Sequence, residues 1–203
     1  MGSIVNRLSL AVLAAVLICA SPSWAEESLP AGEEQPEAGI VPRYLLMDYQ
    51  GRAISDEDFQ GRYQLITFGY TFCPEACPTT LLKMSLIMKK LGKLADRLQP
   101  LFVTVDPERD TPEVLHNYIA FFHTGIIGLT GSPELVRRAA DHFKVRYEKH
   151  LDPGAASDRY SVDHSVGMYL LGPDGQFITK FAYDMTFEAV TERIRLLMEN
   201  PRQ

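Results

Sequence analysis

The fold of this chain is decided by residues 65–78, LITFGYTFCPEACP. The run from Tyr63 to Tyr70 is typical of a buried strand, because it is short, apolar, and rich in aromatic and β-branched residues. Cys73 and Cys77 follow it, four residues apart, where the strand passes into a helix. Two cysteines in that position admit a redox disulfide, a soft-metal site, a reactive thiol or a structural disulfide.

A helix is predicted from Thr79 to Ala95, because apolar side chains recur there at steps of three and four residues: Leu81, Met84, Met88 and Leu91. Pro78 lacks the N–H that a helix interior needs, so the regular helix is predicted to begin near it. The cysteines then occupy a stiff turn at a helix N-terminus, where unpaired N–H groups and the helix dipole favour thiolate over thiol. Met84 and Met88 carry thioethers that can ligate metal, but their helical spacing favours a place in the core.

The remaining elements alternate between strands and helices. Strands are predicted at 44–47, 101–105, 126–129, 166–171 and 176–181, and further helices begin at Thr111, Ser132 and Thr186. Residues 172–175, GPDG, separate the last two strands and indicate a hairpin. Parallel crossovers followed by an antiparallel hairpin predict an α/β fold of the thioredoxin-like type, with three layers, α/β/α, around a mixed central sheet.

Three regions are predicted along the 203 residues. Residues 1–25 are typical of a secretory signal peptide: a basic start, an apolar run over 8–20, and small residues before Glu26. An uncleaved N-terminal anchor is the alternative, and Cys19 is assigned to the leader. Residues 26–39 are acidic and contain Pro and Gly, which predicts a flexible linker. Residues 40–203 then form one globular domain.

Composition and export limit the function. Beyond the leader the chain has 19 basic and 26 acidic residues and no basic stripe, which argues against nucleic-acid binding. A signal peptide places the domain in the periplasm, or at a membrane facing the periplasm. In that oxidising space two cysteines pair unless a metal or a reductant intervenes.

The four-residue spacing of the cysteines bears on that choice. On a regular helix such residues have Cβ atoms about 5–6 Å apart, whereas a disulfide needs about 3.5–4.5 Å. A metal held by two sulfurs tolerates the wider gap. A structural disulfide that closes so short a loop also stabilises the fold only weakly. Pro74 and Pro78 prevent a regular helix across the motif, so the spacing favours metal binding without excluding a disulfide.

Five ordered motifs resemble the Sco/SenC family over roughly residues 40–200: YTFCPEACPT at 70–79, VDPERDTP at 105–112, GLTG at 128–131, YSVDHS at 160–165 and GPDG at 172–175. The resemblance implies a thioredoxin-like domain that binds one copper through Cys73, Cys77 and His164. It further implies that the copper is delivered to the CuA centre of cytochrome c oxidase. The implied partners are the oxidase subunit that carries CuA and a copper donor protein.

The implied ligand set suits copper. Thiolates select Cu(I), and imidazole also accepts Cu(II), so either oxidation state fits. Zinc normally requires four ligands in a closed site. His164 is predicted to begin a strand beside the strand that precedes the cysteines. The other histidines are expected to be solvated or at the core edge: His116, His123, His142 and His150.

Two aspartates follow the second central strand. Asp106 and Asp110 are predicted at the same sheet edge as the cysteine turn, since side chains cluster at the carboxyl ends of parallel strands. Asp106 is a candidate for the outer shell of the metal site or for contact with a partner. Asp110 precedes Thr111-Pro112 and is expected to cap the helix that begins there.

Two other functions use the same residues. A thiol-disulfide oxidoreductase would use Cys73 and Cys77 as its redox pair, for instance to reduce the cysteines of the oxidase copper site. That function has no need of His164. A peroxiredoxin-like peroxidase ranks below it, because the sequence places no arginine beside Cys73 to activate a peroxide.

Overall fold

The computed structural model describes residues 33–34, 40–151 and 159–200. The predicted signal peptide, most of the predicted linker and the segment 152–158 lie outside the described residues. Within the linker, Glu33–Glu34 pairs antiparallel with the last strand of the sheet, opposite Phe181 and Lys180. None of the helices in the described ranges combines the length and the apolar character needed to cross a membrane.

Ten strands and four α-helices make up the described chain. The strands are β1 Glu33–Glu34, β2 Leu45–Met47, β3 Ala53–Ser55, β4 Tyr63–Gly69, β5 Leu98–Thr104, β6 Ile127–Leu129, β7 Tyr147–Leu151, β8 Tyr160–His164, β9 Met168–Leu171 and β10 Phe177–Phe181. The helices are α1 Ala76–Leu91, α2 Pro112–Ala120, α3 Pro133–His142 and α4 Phe187–Glu199. Short 3-10 helices occupy Asp56–Phe59 and Gly92–Arg97.

The central sheet has the order β1-β10-β9-β4-β5-β6. Strands β4, β5 and β6 are parallel, and β9 and β10 run antiparallel to their neighbours. Every residue of β4 and β5 is buried, as expected for central strands covered on both faces. The mixed sheet and the thioredoxin-like α/β architecture confirm the fold predicted from the sequence.

The helices form a layer on each face of this sheet. Helices α1, α2 and α4 share one face: the Tyr63 hydroxyl donates to the Leu197 carbonyl of α4, and the Phe102 ring packs on Tyr118 of α2. Helix α3 covers the other face, where Phe143 at its end packs on Phe68. The Cys-bearing turn lies where β4 ends and α1 begins, at the carboxyl edge of the parallel strands.

Helix α1 begins earlier than predicted. It starts at Ala76, so Cys77 lies in its first turn and Pro78 is the third residue of the helix. Proline is tolerated there because its missing N–H is one of those that have no partner in a first turn. At the other end the α-helix stops at Leu91, and Gly92 with φ 58° turns the chain into a 3-10 helix.

The β7–β8 hairpin is absent from the prediction. Its two strands form a separate sheet with Tyr147 opposite His164 and Leu151 opposite Tyr160. Four of the five residues of β7 are exposed, and β8 alternates between exposed and more buried residues over only five positions, so the hairpin leaves a weak signal in the sequence. His164 therefore ends a hairpin strand. The expectation that it begins a strand beside β4 is wrong, because β9, starting at Met168, takes that place.

Candidate metal centre

The cysteine turn is held by its own backbone. The Cys73 N–H donates to the Tyr70 carbonyl at 3.2 Å, and the Cys77 N–H donates to Cys73 Sγ at 3.4 Å. The second bond aims a first-turn N–H of α1 at the Cys73 sulfur, where it stabilises negative charge. Both cysteines are free thiols, Cys77 buried and Cys73 half-buried.

Gly69 makes room for the buried sulfur. A Cβ at this position would lie 2.5 Å from Cys77 Sγ and 3.0 Å from the Phe102 ring. The sulfur therefore rests directly on the backbone at the end of β4. Only glycine permits so close an approach without displacing the sulfur.

His164 approaches the cysteines from the hairpin. Its Nε2 lies 3.5 Å from Cys77 Sγ, and its Nδ1 lies 3.0 Å from the Ser165 carbonyl. A carbonyl can only accept, so Nδ1 carries the proton in the neutral ring and the lone pair of Nε2 faces the sulfurs. This is how a histidine that ligates a metal is commonly oriented.

The two sulfurs and the imidazole form one cluster. One ligand atom from each of Cys73, Cys77 and His164 lies within 4.8 Å of the other two, and it is the one such group of metal-ligating side chains within the described ranges. Two sulfurs and an imidazole nitrogen gathered at one edge of the sheet form a donor set suited to a thiophilic metal ion.

Burial determines the protonation states of Cys77 and His164. Desolvation raises the pKa of the Cys77 thiol well above its usual range, and the neighbouring Cys73 sulfur adds to this effect. For Cys77 the expectation that the helix N-terminus favours thiolate is therefore wrong, because burial outweighs the helix dipole. Desolvation lowers the pKa of His164, so its ring is neutral at pH 7. A metal entering the site therefore finds a free imidazole lone pair but must displace the proton of Cys77.

Asp110 anchors the cysteine turn. Its carboxylate accepts from the Thr71 N–H at 3.0 Å, the Thr71 hydroxyl at 2.6 Å and the Thr104 hydroxyl at 2.6 Å. The expectation that Asp110 caps α2 is wrong, because Thr111 is the N-cap and its hydroxyl accepts from the Val114 N–H. Asp110 is drawn inward instead, since Thr71 and Thr104 supply donors at the end of β4 and of β5.

Asp106 lies outside the cluster and is fully buried. It accepts from Arg109 Nε and, at 2.7 Å, from the Tyr160 hydroxyl. Lys149 Nζ lies 3.9 Å from it. Its carboxylate thus faces the start of β8, the strand that ends in His164.

The other candidate ligands lie apart from the cluster. His116 stacks on Tyr49, and His123 Nδ1 accepts from the Gly125 N–H. His142 Nδ1 hydrogen-bonds the Arg43 carbonyl, and His150 pairs with Asp163 at 3.2 Å. Met84 and Met88 are buried in the hydrophobic core, as their spacing predicts.

Three residues near the site were not singled out from the sequence: Tyr70, Arg109 and Tyr160. The Arg109 guanidinium stacks 3.6 Å from the Tyr160 ring and 4.8 Å from the ring of Phe72, beside Cys73. Two of its N–H groups are engaged by Asp106 and the Tyr160 carbonyl. Each of the three lies inside a motif of the family resemblance, and membership of those motifs is the signal that could have identified them.

Known proteins resemble this chain over the region that contains the five motifs. Residues 32–199 match the family model described as SCO1/SenC. Protein sco1 of Schizosaccharomyces pombe is 39% identical over 154 residues, which cover 74% of this chain and 58% of that protein. The SCO2-like protein of Rickettsia felis is 36% identical over 172 residues, covering 80% of this chain and 83% of that protein.

Solved structures of Sco proteins resemble this chain as well. The crystal structure of Arabidopsis thaliana ScoI with copper bound superposes with a TM-score of 0.73 at 31% identity, covering 79% of this chain and 99% of that one. The chain spans about three fifths of the length of the first curated relatives that it matches, 58% and 60% for the first two. The extent of the family match, together with the fold and the ordered motifs, shows that this chain belongs to the SCO1/SenC family.

Proposed function

We propose that this protein is a copper metallochaperone that binds one copper ion through Cys73, Cys77 and His164. The observation that carries the proposal is the convergence of their three ligand atoms within 4.8 Å of one another. Copper is the cargo of this site and is passed on to a recipient protein. The relative with copper bound supports the choice of metal.

The donor set fits copper better than its rivals. Two thiolates stabilise Cu(I), and a neutral imidazole with its lone pair turned inward extends the site to Cu(II). A closed zinc site needs a fourth protein ligand, and the cluster within the described residues offers three. Cys73 is less buried than Cys77, so the cluster lies toward the surface of the domain on its Cys73 side.

The recipient and the location follow from the family resemblance. We propose that the copper is delivered to the CuA centre of cytochrome c oxidase, on the subunit that carries it, after a donor protein has loaded the site. We further propose that this transfer takes place in the periplasm, close to the membrane that holds the oxidase. The signal peptide predicted at 1–25, the linker predicted at 26–39 and the domain predicted at 40–203 support this location.

Metal analysis of the reduced protein tests the proposal. Anaerobic titration with Cu(I), and separately with Cu(II), should give one copper per chain. Cys73→Ser and Cys77→Ser should each abolish tight binding, because each removes a thiolate that supplies much of the ligand field. Cys19→Ser in the full-length chain is the matched control and should bind as the unaltered protein does. A Cys77→Ser variant that kept full stoichiometry and its thiolate-to-Cu(II) absorption would overturn the ligand set.

A thiol-disulfide oxidoreductase remains the second candidate. The observation in its favour is the pairing of buried Cys77 with a more accessible Cys73, whose sulfur already accepts the Cys77 N–H. The raised pKa of Cys77 makes it a poor nucleophile, so Cys73 would attack a disulfide substrate. His164 separates the two functions, because disulfide exchange requires no imidazole ligand.

A further inference from the structure

The β7–β8 hairpin presents His164 from outside the main sheet. Its strands pair with each other and with no strand of the central sheet among the described residues. Apart from the chain connections at the base of the hairpin, the position of the imidazole relative to the sulfurs therefore depends on side-chain contacts that join β8 to the body of the fold.

Three residues connected by hydrogen bonds make one set of these contacts, and we call them the β8 clamp: Asp106, Arg109 and Tyr160. The Tyr160 hydroxyl donates to Asp106 Oδ1 at 2.7 Å, and Arg109 Nη1 donates to the Tyr160 carbonyl at 2.8 Å. Arg109 Nε closes the triangle on Asp106 Oδ2, and its guanidinium lies 3.6 Å from the Tyr160 ring centroid. A fully buried carboxylate is thus satisfied by two donors that both hold the start of β8.

A second contact lies farther along the same strand. The Val162 N–H donates to the Tyr70 hydroxyl at 3.3 Å, and the Tyr70 ring meets the His164 ring edge to face at 5.8 Å. Tyr70 is the residue whose carbonyl accepts from the Cys73 N–H. The β8 strand is therefore tied at its first residue by the clamp and at its third by the base of the cysteine turn.

The clamp and the anchor of the cysteine turn belong to one loop. Asp110, four residues after Asp106, holds Thr71, and its own N–H donates to the Asp106 carbonyl at 2.9 Å. Both halves of the ligand set are thus fixed to residues 106–110, the cysteines through Asp110 and the histidine through Asp106.

We infer that Asp106, Arg109 and Tyr160 are positioning residues that hold His164 at ligating distance from the two sulfurs. The inference rests on the proposed copper function. None of the three belongs to the cluster of ligand atoms. They act through β8. Removing one of them should therefore weaken the contribution of His164 to copper affinity and leave the contribution of the two thiolates unchanged.

A double-mutant cycle tests the inference. Tyr160→Phe keeps the ring under Arg109 and deletes the hydroxyl bond to Asp106. It should lower Cu(II) affinity about tenfold, the loss of one hydrogen bond to a charged group. In a His164→Ala background the same substitution should change affinity less than about twofold, because the two residues act through one contact. Equal losses in both backgrounds would overturn the inference, as would no loss in either.

A matched control separates positioning from general stability. Tyr63→Phe also deletes a buried tyrosine hydroxyl bond, to the Leu197 carbonyl at 3.0 Å, but at the opposite end of β4. It should leave Cu(II) affinity and the imidazole-nitrogen splitting in the EPR spectrum unchanged, whereas Tyr160→Phe should weaken that splitting. A loss of splitting in Tyr63→Phe as large as that in Tyr160→Phe would contradict a role specific to the clamp.

Metal-free protein distinguishes failure of the clamp from failure of the copper function. Absence of copper binding by the unaltered protein would refute the copper function alone. Amide hydrogen exchange still reports on the clamp in that case. Exchange of the Val162 N–H should accelerate in Tyr160→Phe and stay unchanged in Tyr63→Phe. Equal Val162 exchange in Tyr160→Phe and in the unaltered protein would overturn the clamp whatever the copper result.

Discussion

At the scale of single residues, buried polar groups shape the cysteine turn before any metal arrives. Asp110 lies with none of its surface exposed and satisfies three donors on Thr71 and Thr104. Gly69 leaves the space that the Cys77 sulfur fills. Neither residue belongs to the cluster of ligand atoms, yet both determine the position of the cysteine turn and its sulfurs.

Replacing Asp110 should therefore cost stability. Asp110→Ala leaves three donors without an acceptor in a buried place, and we expect a loss of about 2–4 kcal/mol in the free energy of unfolding. Asp110→Asn keeps one acceptor oxygen and should lose less. Urea denaturation of the reduced, metal-free variants measures both. Equal, small losses in the two variants would show that the hydrogen bonds of Asp110 contribute little.

The raised pKa of Cys77 predicts how copper binding depends on pH. Copper must displace the proton of this thiol, so apparent Cu(I) affinity should rise with pH. Below the pKa of Cys77 the rise should be at least about tenfold per pH unit. His164, whose pKa is lowered, is already neutral at pH 7 and adds no slope there.

Competition with a Cu(I) chelator across about pH 6.5 to 8.5, with the proton affinity of the chelator taken into account, measures this slope. His164→Ala should bind more weakly with the same slope near pH 7 and above. Affinity independent of pH in the unaltered protein would mean that Cys77 is already a thiolate in the metal-free site.

At the scale of elements, the site joins the β4–α1 junction to the β7–β8 hairpin. The sequence predicts the first of these and not the second. The apolar run of β4 and the periodic positions of α1 predict the strand-to-helix junction that carries the cysteines. In the β7–β8 hairpin, β7 carries no alternation of apolar and polar residues, and β8 alternates over only five residues, which is a weak signal in a single sequence. The family resemblance identifies His164 as a ligand, but only the structure shows that it lies at the end of β8.

Because the hairpin lies outside the central sheet, replacing His164 should affect copper binding without disrupting the fold. His164→Ala should weaken copper binding, most for Cu(II), because imidazole completes the shell of the higher oxidation state. The free energy of unfolding and the Cys73–Cys77 reduction potential should change little. Copper titration, urea denaturation and equilibration with a glutathione redox buffer measure the three quantities.

The same variant decides between the candidate functions. Retained thiol-disulfide exchange with weakened copper binding supports the metallochaperone. Retained exchange with unaltered copper affinity would show that His164 is not a ligand and would favour the oxidoreductase instead. His116→Ala is the matched control, since His116 stacks on Tyr49 outside the cluster and should leave both properties unchanged.

At the scale of the whole molecule, the sequence predicted the fold more fully than the contacts that complete the site. The alternation of strands and helices along the chain and the final hairpin indicate the fold class, and a single sequence displays both. The tie between Asp106 and Tyr160 spans 54 residues, and that between Thr71 and Asp110 spans 39. Such pairings arise only when the sheet brings distant segments together, so local patterns could place Asp106 at the correct edge but could not name its partners.

Copper should stabilise the whole molecule by joining the cysteine turn to the hairpin. A ligand that binds the folded state and not the unfolded one raises stability by about 2.7 kcal/mol at one hundred times its dissociation constant. The melting temperature of the reduced protein should therefore rise with Cu(I) and continue to rise with free copper concentration. Oxidised protein should show no rise, because a Cys73–Cys77 disulfide and copper compete for the same two sulfurs. Differential scanning calorimetry of both forms, with Cys77→Ser as a control that should not respond, measures the effect. A comparable rise in the fully oxidised protein would show that copper binds somewhere other than the two cysteines.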